Sequence, residues 1–494
     1  MPFMPRKTYL DHNATTPLAR EVRHAMARCL KRLHGNAASL HTFGRAARGA
    51  IDAARRPVAS VLACSPDQVF FTSGGTEANN AVVKGVFAAA GKGHIVTSKI
   101  EHSSVLGACE QVEGRGGKVT YVPAGQNGCV RAEDVRAAIQ PDTVLISIMH
   151  ANNETGAIQP VEEISRTARE AGIPFHTDAV QSFGKIPTRV DELGCEFLTL
   201  SAHKINGPKG IGALYWRGNA KWTPLLYGGD QERGLRAGTE ATHQIAGLGA
   251  ATELAASRME HELTRLDVLR ERLIQGLRKA FPAVSINEAP AGRQLPGTVS
   301  ATFPDLNGLH LLAGLDCYEV AVSIGAACTA DRIEPSHVIL GMGWSEQYAL
   351  STIRISMGTT TRAADVKYFL WALARALKGP PTGFAYLDPQ HLTAERIRSD
   401  KTFLIDLRLP HERMLAASIP GARQWSHIAF ERYFDRIPWD KEVVLMCSTG
   451  IFSLGAAYRL ASAGHPSVRV VYGGYCAWRA LYPDLLSQLQ DAGP

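Results

Sequence analysis

A lysine at residue 204 lies in a setting that suits covalent chemistry. Residues 199–210 read TLSAHKINGPKG, in which Lys204 is surrounded by small, polar and turn-forming residues. One apolar run enters this stretch and another leaves it, so Lys204 is predicted to follow a buried strand. A lysine that bonds to an aldehyde needs such a setting, because its stem must be held while its amine faces a ligand. The stretch therefore indicates a Schiff-base lysine.

A glycine turn in the same region suits a phosphate group. FFTSGGTEANN (70–80) is predicted to run from a strand through a turn into a helix, with Gly75 and Thr76 at the turn. Glycine lets the backbone approach a ligand closely, and the first free amides of a helix attract an anion. Taken alone, this pattern is equally typical of an ordinary capped helix.

Other polar residues are predicted at the ends of neighbouring strands. These residues are Asp178, Gln181, Asn153 and His102. Singly, each is explained by a turn, a helix cap or a structural histidine. Together with Lys204 they supply what pyridoxal 5′-phosphate needs: a clamped phosphate, an acid at the ring nitrogen, a flat ring and a lysine at the aldehyde. Ser201 and His203, beside Lys204, are expected to reach the phosphate.

Eight segments resemble, in order and in spacing, the signature segments of the cysteine desulfurases. The segments are YLDHNATTP, GNAASLHTFGRAAR, FTSGGTEANNAVVKG, SIMHANNETGAIQP, HTDAVQSFGK, SAHKINGPKGIGALY, GGDQERGLRAGTE and STIRISMG, within about residues 8–376. That family consists of class V aminotransferase-like enzymes of fold-type I, which bind pyridoxal phosphate. The resemblance implies L-cysteine as the substrate and an α/β fold with a large mixed or parallel-sheet domain and a small α+β domain.

The resemblance also implies a role for each candidate residue. Lys204 is implied as the Schiff-base lysine, with Asp178 at the pyridine nitrogen and His102 over the ring. Asn153 and Gln181 are implied near the ring hydroxyl, and Arg354 and Asn153 at the substrate. The residues implied at the phosphate are Gly75, Thr76, Ser201 and His203. Thr239 of the partner subunit is implied at the same phosphate, which implies a homodimer. Arginine suits a carboxylate because it binds both oxygens at once.

A cysteine among small residues is the expected sulfur acceptor. VAVSIGAACTADRIEPSHV (320–338) contains Cys328, where the family has its persulfide-forming cysteine. The resemblance implies that the Cys328 thiolate attacks the substrate sulfur and that alanine leaves, with His102 handling the thiol protons. Ile324 and Ala326 depart from the small or polar residues usual in this motif.

The C-terminal residues contain a second cysteine at a strand-to-helix turn. EVVLMCSTGIFSLGAAYRL (442–460) places Cys447 before a helix, where free amides favour a thiolate, although a cysteine ending a buried strand is common. FLIDLRLPHERMLAASIPGA and VVYGGYCAWRALYP, which flank it, resemble a rhodanese domain. Phe452 replaces the arginine of the usual active loop, which disfavours thiosulfate. We therefore predict relay of sulfur from Cys328 to Cys447, with a mere docking domain as the alternative.

Composition breaks divide the 494 residues. A Pro- and Gly-rich stretch near residue 378 suggests a linker. The predicted organisation is a desulfurase at 1–378 (large domain about 16–260, small domain about 1–15 and 261–378), a linker at 379–394 and a rhodanese-like domain at 395–494.

Composition also limits the classes of function. The chain is 45% hydrophobic with a net charge of +7, and it has no cluster of Lys and Arg, so direct nucleic-acid binding is not expected. No apolar run approaches a membrane span. The nine cysteines include no CxxC pair, which argues against a metal site and against a disulfide framework. Cysteines without disulfides are typical of a reducing compartment, so a cytoplasmic location is expected. The sequence does not decide whether the final sulfur acceptor is an iron–sulfur scaffold or a tRNA- or cofactor-thiolating enzyme. Two alternative activities, a selenocysteine lyase and an aminotransferase without sulfur chemistry, also stay open.

Overall fold

The strand before Lys204 and the strand before the glycine turn belong to one sheet. A computed structural model of the protein describes residues 7–325, 328–329, 332–333, 335–378, 384–448 and 450–482. Up to residue 280 the strands are β1 (Thr8–Tyr9), β2 (Val69–Thr72), β3 (His94–Ser98), β4 (Lys118–Val122), β5 (Thr143–Ser147), β6 (Phe175–Asp178), β7 (Phe197–Ser201) and β8 (Gly212–Trp216). The helices are α1 (Arg20–Arg32), α2 (Thr42–Leu62), α3 (Gly75–Ala90), α4 (Ser103–Glu113), α5 (Ala132–Ala138), α6 (Val161–Glu170), α7 (Val190–Leu193) and α8 (Thr242–Ala280).

Seven of these strands form the large sheet, in the order β2-β8-β7-β6-β5-β3-β4. Strand β8 runs antiparallel to β2 and β7, and the remaining neighbours are parallel. The strands predicted at 69–72, 94–98 and 197–201 are confirmed with these bounds. Each is buried along its whole length, with an apolar cluster on either face of the sheet, and this explains the continuous apolar character of the runs.

The small domain follows and is joined to the large one by the long helix α8. Its strands are β9 (Ser285–Ile286), β10 (Thr298–Thr302), β11 (Val320–Ala321), β12 (Ser323–Ile324), β13 (Cys328–Thr329), β14 (Arg332–Ile333) and β15 (Thr352–Ser356). Its helices are α9 (Gly308–Asp316), α10 (His337–Gly341), α11 (Glu346–Leu350) and α12 (Ala363–Ala376). An antiparallel sheet has the order β12-β15-β10-β9, and β1 pairs with β11. The start of α8 is buried against the large sheet and its end in the small-domain core.

The C-terminal domain is a parallel five-stranded sheet in the order β16-β20-β19-β17-β18. Its strands are β16 (Phe384–Leu387), β17 (Thr402–Asp406), β18 (Arg423–Gln424), β19 (Glu442–Met446) and β20 (Val468–Val471), and its helices are α13 (Ala394–Arg398), α14 (Pro410–Ala416), α15 (Ile451–Ser462) and α16 (Gly474–Leu481). Strand β16 lies within the predicted linker. The structure corrects that prediction, because all four residues of β16 pair with β20 at the edge of this sheet.

The C-terminal domain packs directly on the small domain. Helix α15 lies against α9, and Leu309 and Ala313 of α9 are buried in the same apolar cluster as Phe430 and Leu454. The Arg459 guanidinium lies 3.7 Å from the Asp316 carboxylate at the edge of this contact. The two domains are therefore joined by a packed interface as well as by the chain. Among the described residues, no helix is both long and apolar enough to cross a membrane.

Candidate active site and sulfur-carrier site

A cavity of about 380 Å³ lies between the large and small domains, at the carboxyl ends of β6 and β7. Ten predicted residues line it: Gly75, Thr76, His102, Asn153, Asp178, Gln181, Ser201, His203, Lys204 and Arg354. They come from separate parts of the chain and meet because parallel strands end at one edge of the sheet. The predicted proximity of these residues is therefore found in the structure.

Lys204 lies in a short 3₁₀ turn after β7, and its amine is within the cavity. The Nζ atom donates hydrogen bonds to the backbone carbonyls of Asn13 and Ala14, the latter at 2.8 Å. Desolvation lowers the pKa of Lys204 to about 8, and the positive charge of Arg354 acts in the same direction. About a tenth of the amine is therefore neutral at pH 7, far more than for an ordinary lysine, and nucleophilic attack on an aldehyde requires this neutral form.

Asp178 ends strand β6 and accepts a hydrogen bond on each carboxylate oxygen. Val180 N donates to Oδ1 at 2.9 Å, and Asn79 Nδ2 donates to Oδ2 at 2.7 Å. Asn79 lies one turn into α3 and is buried, and its amide also donates to Ser104 Oγ at 2.9 Å. These two hydrogen bonds fix the orientation of the Asp178 carboxylate.

His102 caps helix α4 and borders the cavity. Its Nδ1 accepts a hydrogen bond from Ser104 N at 3.2 Å, so the proton of the neutral ring is on Nε2. The residue is exposed, and it borders the cavity. Desolvation lowers the pKa of His102, the charge of Lys204 acts in the same direction, and Asp178 opposes both. The imidazole is therefore neutral at pH 7 and can exchange a proton at Nε2.

The start of α3 offers free backbone amides to the cavity. Gly74 precedes the helix with φ of 155°, a conformation that glycine adopts most easily, and no described side chain caps this end. Thr76 and Ser201 add hydroxyl groups to the same cavity. Burial lowers the pKa of His203 to about 4, so this imidazole is neutral and offers hydrogen bonds rather than charge.

Arg354 reaches the cavity from strand β15 of the small domain. Its Nη2 lies 2.7 Å from Asp11 Oδ1, and its Nη1 donates to Asn153 O at 3.2 Å. Its Nε is buried and has no hydrogen-bond partner among the described residues. The guanidinium is thus held by two groups and keeps further N–H donors for an anion in the cavity.

Two other predicted residues, Thr239 and Cys328, are not among the residues that line this cavity. Thr239 is exposed in the segment before α8 and does not line the cavity of its own chain. Cys328 begins β13, which pairs with β14, and its side chain lies outside the described part of the structure.

Cys447 lies directly after β19 and is 1% exposed. Gly450 N donates to Cys447 Sγ at 3.1 Å, immediately before α15 begins. Phe452, at the expected arginine position, is half exposed. Its ring stacks on His427 with centroids 3.9 Å apart and planes 2° apart. An aromatic pair therefore borders the loop where a cation was expected.

The residues of the cavity fit pyridoxal phosphate. The free amides of α3 suit the phosphate, the fixed Asp178 carboxylate suits a protonated ring nitrogen, and the Lys204 amine suits the aldehyde. Asn153 Oδ1 is buried without a hydrogen-bond partner among the described residues, which leaves an acceptor for a ligand hydroxyl. A buried polar atom without a partner is costly unless a ligand or water supplies one.

Comparisons with known proteins identify the families to which the two parts of the chain are similar. The family model for aminotransferase class-V matches residues 8–369, and the model for the rhodanese-like domain matches residues 390–481. The cysteine desulfurase IscS of Dictyoglomus turgidum is 46% identical over 377 residues, which are 76% of this chain and 95% of the relative. The mitochondrial cysteine desulfurase of Arabidopsis thaliana is 44% identical over 366 residues, covering 73% of this chain and 80% of the relative. The chain belongs to the cysteine desulfurase family.

Solved structures of this family confirm the fold. A NifS-like protein superposes with a TM-score of 0.71 at 36% identity and covers 76% of this chain and all of the solved one. The NifS-like protein of Rickettsia africae gives 0.69 at 32% identity with the same coverage. About a quarter of the chain lies outside these superpositions, and the rhodanese-like match accounts for a domain of that size. The predicted combination of a desulfurase with a rhodanese-like domain is confirmed.

Three polar residues of the cavity were not predicted from the sequence: Asn13, Asn79 and Ser104. Asn79 could have been found, because it follows Gly75 by four positions and so lies on the same face of α3. Asn13 could not, because it reaches the cavity from the turn after β1, far from the other cavity residues in the chain. Its side chain donates to Asn153 O at 3.0 Å, and its carbonyl accepts from Gln181 Nε2 at 2.9 Å.

Proposed function

We propose that the chain is a pyridoxal phosphate-dependent cysteine desulfurase that converts L-cysteine to L-alanine and leaves the sulfur on Cys328 as a persulfide. The observation that carries the proposal is the Lys204 amine, with its pKa lowered to about 8, in one cavity with Asp178, His102 and Arg354. The cofactor, when bound, supplies an electron-withdrawing ring that weakens the Cα–H and Cβ–S bonds of the substrate.

Three side chains would bind the substrate and move its protons. Arg354 would bind the carboxylate of cysteine, because it is held by Asp11 and still has unused donors. Lys204 would take the Cα proton, for which an amine with a pKa near 8 is suited. His102, with its proton on Nε2, would donate a hydrogen bond to the substrate sulfur.

The sulfur step balances without an external oxidant. The Cβ–S bond of cysteine breaks, an S–S bond forms with the Cys328 thiolate, and Cβ gains a proton. The net change is Cys328–SH plus cysteine to Cys328–SSH plus alanine. The attacking group is the thiolate, which is the nucleophilic form of cysteine. Because an unperturbed thiol with a pKa of about 8.5 is only slightly ionised at pH 7, the Cys328 thiol must be activated in the site.

We infer a relay of the persulfide sulfur to Cys447. Ile324, four residues before Cys328, packs against the apolar cluster that contains Cys447. Four residues span at most about 14 Å between Cα atoms, so Cys328 lies within that reach of a residue that borders the core of the C-terminal domain. The Cys447 thiolate would attack the outer sulfur of Cys328–SSH, giving Cys447–SSH and free Cys328, from which an acceptor protein would take the sulfur.

We also propose a homodimer in which Thr239 of the partner subunit completes the phosphate site. Thr239 is exposed and outside the cavity of its own chain. Leu40, Phe43 and Tyr227 are 89%, 59% and 75% exposed, which suits contact surfaces. Light scattering should give a mass of twice 53.3 kDa. Thr239→Ala should weaken cofactor binding without changing this mass.

Feeding the purified full-length protein with sulfur-35 cysteine tests the desulfurase proposal. Wild type should release alanine and carry label on Cys328 and Cys447. Lys204→Ala and Cys328→Ser should release no alanine above background. Alanine release by Cys328→Ser at the wild-type rate would show an aminotransferase-like reaction without this persulfide.

The same labelling separates relay from docking. Cys447→Ser should keep alanine release in the presence of a thiol reductant and confine the label to Cys328. Label confined to Cys328 in the wild type would leave the C-terminal domain as a docking module. Faster alanine release from selenocysteine than from cysteine would favour a selenocysteine lyase.

A further inference from the structure

A buried glutamate contacts both ends of the segment that carries Cys328. Glu154 follows Asn153 in the chain and is 5% exposed. Its Oε2 accepts a hydrogen bond of 2.5 Å from Ser336 Oγ. The same oxygen lies so close to Gly325 that a Cβ atom at that position would overlap it. One carboxyl group therefore joins a residue before Cys328 to a residue after it.

The Ser336 hydroxyl extends this contact into helix α10. It donates to Glu154 and accepts from Ile339 N at 3.2 Å, capping the helix. The backbone of Glu154 is fixed as well, because its N–H donates to Asn152 Oδ1 at 2.8 Å. The anchor is therefore rigid on both sides.

A second contact fixes the same end of the segment. His337 Nε2 lies 2.8 Å from the backbone oxygen of Glu101, the residue before His102. The residues after Cys328 are thus attached next to Asn153 and next to His102, two residues of the cavity. Gly325, Ser336 and His337 are therefore held beside the cavity in which the substrate sulfur would lie.

The anchor does not depend on the charge of Glu154. Burial raises the pKa of Glu154, and the Ser336 hydrogen bond opposes this. Ser336 can donate to a carboxylate, to the carbonyl oxygen of a carboxylic acid or to an amide oxygen. Glutamine should therefore replace Glu154, whereas alanine removes the contact.

We propose that Glu154 is a positioning residue that fixes both ends of the Cys328 segment and so sets the approach of the Cys328 sulfur to the substrate sulfur. It does not line the cavity, and its effect would pass through Gly325 and Ser336. The proposal rests on the proposed desulfurase activity. It explains why position 325 requires glycine: any side chain there would displace Glu154.

The test separates substrate binding from sulfur transfer. Substrate binding is followed by the absorbance change of the cofactor on addition of L-cysteine, and sulfur transfer by the mass of the persulfide peptide in a single turnover. In Glu154→Ala the cysteine concentration for half-maximal absorbance change should stay within about twofold of wild type. Persulfide formation should slow by about 10- to 100-fold, because a shift of about 1 Å has effects of this size.

Further variants distinguish a loss of the Glu154 contact from a general effect of substitution. Glu154→Gln should form persulfide at a rate within about threefold of wild type, since it keeps the acceptor. Glu110→Ala removes an exposed glutamate of α4 and should change neither readout. Gly325→Ala, which keeps the glutamate at position 154 but displaces its carboxyl group, should reproduce the slow sulfur transfer and remains informative if Glu154→Ala does not fold. In Glu154→Ala/Gly325→Ala the two losses should be less than additive, because the overlap is removed.

Persulfide formation at the wild-type rate in Glu154→Ala and Gly325→Ala would overturn the proposal, as would equal losses of substrate binding and sulfur transfer. Failure of the desulfurase proposal would look different, because the wild type itself would then form no persulfide on Cys328.

Discussion

Asp11 and Arg354, 343 positions apart in the chain, form a largely buried ion pair in which Asp11 Oδ1 lies 2.7 Å from Arg354 Nη2. The Arg354 side chain is 8% exposed and that of Asp11 20%. A carboxylate from the N-terminal segment thus orients the guanidinium of the small domain. The same carboxylate raises the pKa of Lys204, against the larger effect of desolvation. Asp11 therefore links the expected substrate-binding cation to the reactive amine.

Arg354→Lys should weaken the binding of cysteine. Lysine keeps the positive charge but cannot contact Asp11, the Asn153 carbonyl and a substrate carboxylate with one planar group. Loss of a charged hydrogen bond worth about 1.5 to 3 kcal/mol predicts a rise in KM of roughly 10- to 150-fold, with a smaller change in kcat. Alanine release against cysteine concentration measures both constants.

Arg258→Lys is the control, since Arg258 forms an exposed ion pair with Glu21 and should keep the wild-type KM. An unchanged KM in Arg354→Lys would remove Arg354 from the substrate site.

Loading of the apoprotein with pyridoxal phosphate should depend on pH through Lys204. Only the neutral amine attacks the aldehyde, and the pKa of Lys204 is lowered to about 8. The loading rate, followed by absorbance, should therefore rise about tenfold per pH unit below pH 8 and level off above it. Arg354→Met should move the midpoint to higher pH, because the positive charge of Arg354 lowers this pKa. A midpoint near the ordinary lysine value would contradict the prediction.

Phe452→Arg should increase thiosulfate sulfurtransferase activity. The Phe452 ring stacks on His427 at the position where an arginine would bind an anionic donor. Because a charged hydrogen bond contributes about 1.5 to 3 kcal/mol, kcat/KM for thiosulfate should rise by roughly 10- to 150-fold. Thiocyanate formation from thiosulfate and cyanide measures the activity. Phe452→Leu, which adds no charge, should show no gain, and equal activity in both variants would show that the missing cation is not limiting.

Ala313→Asp should uncouple the two sulfur carriers. Ala313 of α9 is 6% exposed within the apolar cluster shared with the C-terminal domain, and an unpaired charge buried there costs about 3 to 5 kcal/mol. Sulfur-35 labelling should show the normal rate on Cys328 and a reduced rate on Cys447. Proteolysis between residues 378 and 384 should accelerate.

The exposed Ala374→Asp on α12 is the matched control and should leave both rates unchanged. Normal labelling of Cys447 in Ala313→Asp would show that relay does not need this interface.

Much of the fold and of the cavity was predictable because the relevant patterns are local. The buried strands that lead to Asp178 and Lys204 are continuous apolar runs followed by polar residues, and these runs are confirmed as β6 and β7. Strand β4, KVTYV, was missed because it is half exposed at the edge of the sheet and begins with a lysine. The predicted linker, 379–394, includes residues that form the short edge strand β16, because prolines and glycines precede this strand and its pairing partner β20 lies about 80 residues later.

The sequence by itself determined which residues carry the expected chemistry, because Lys204, Asp178, Cys328 and Cys447 lie in short segments whose residue types and spacing are visible within a few positions. Only the tertiary structure decided what holds these groups: Asp11 on Arg354, Asn79 on Asp178, and helix α9 under the C-terminal domain. These contacts join residues that are distant in the chain. Local pattern does not encode such pairs, because they depend on how completed elements pack against one another.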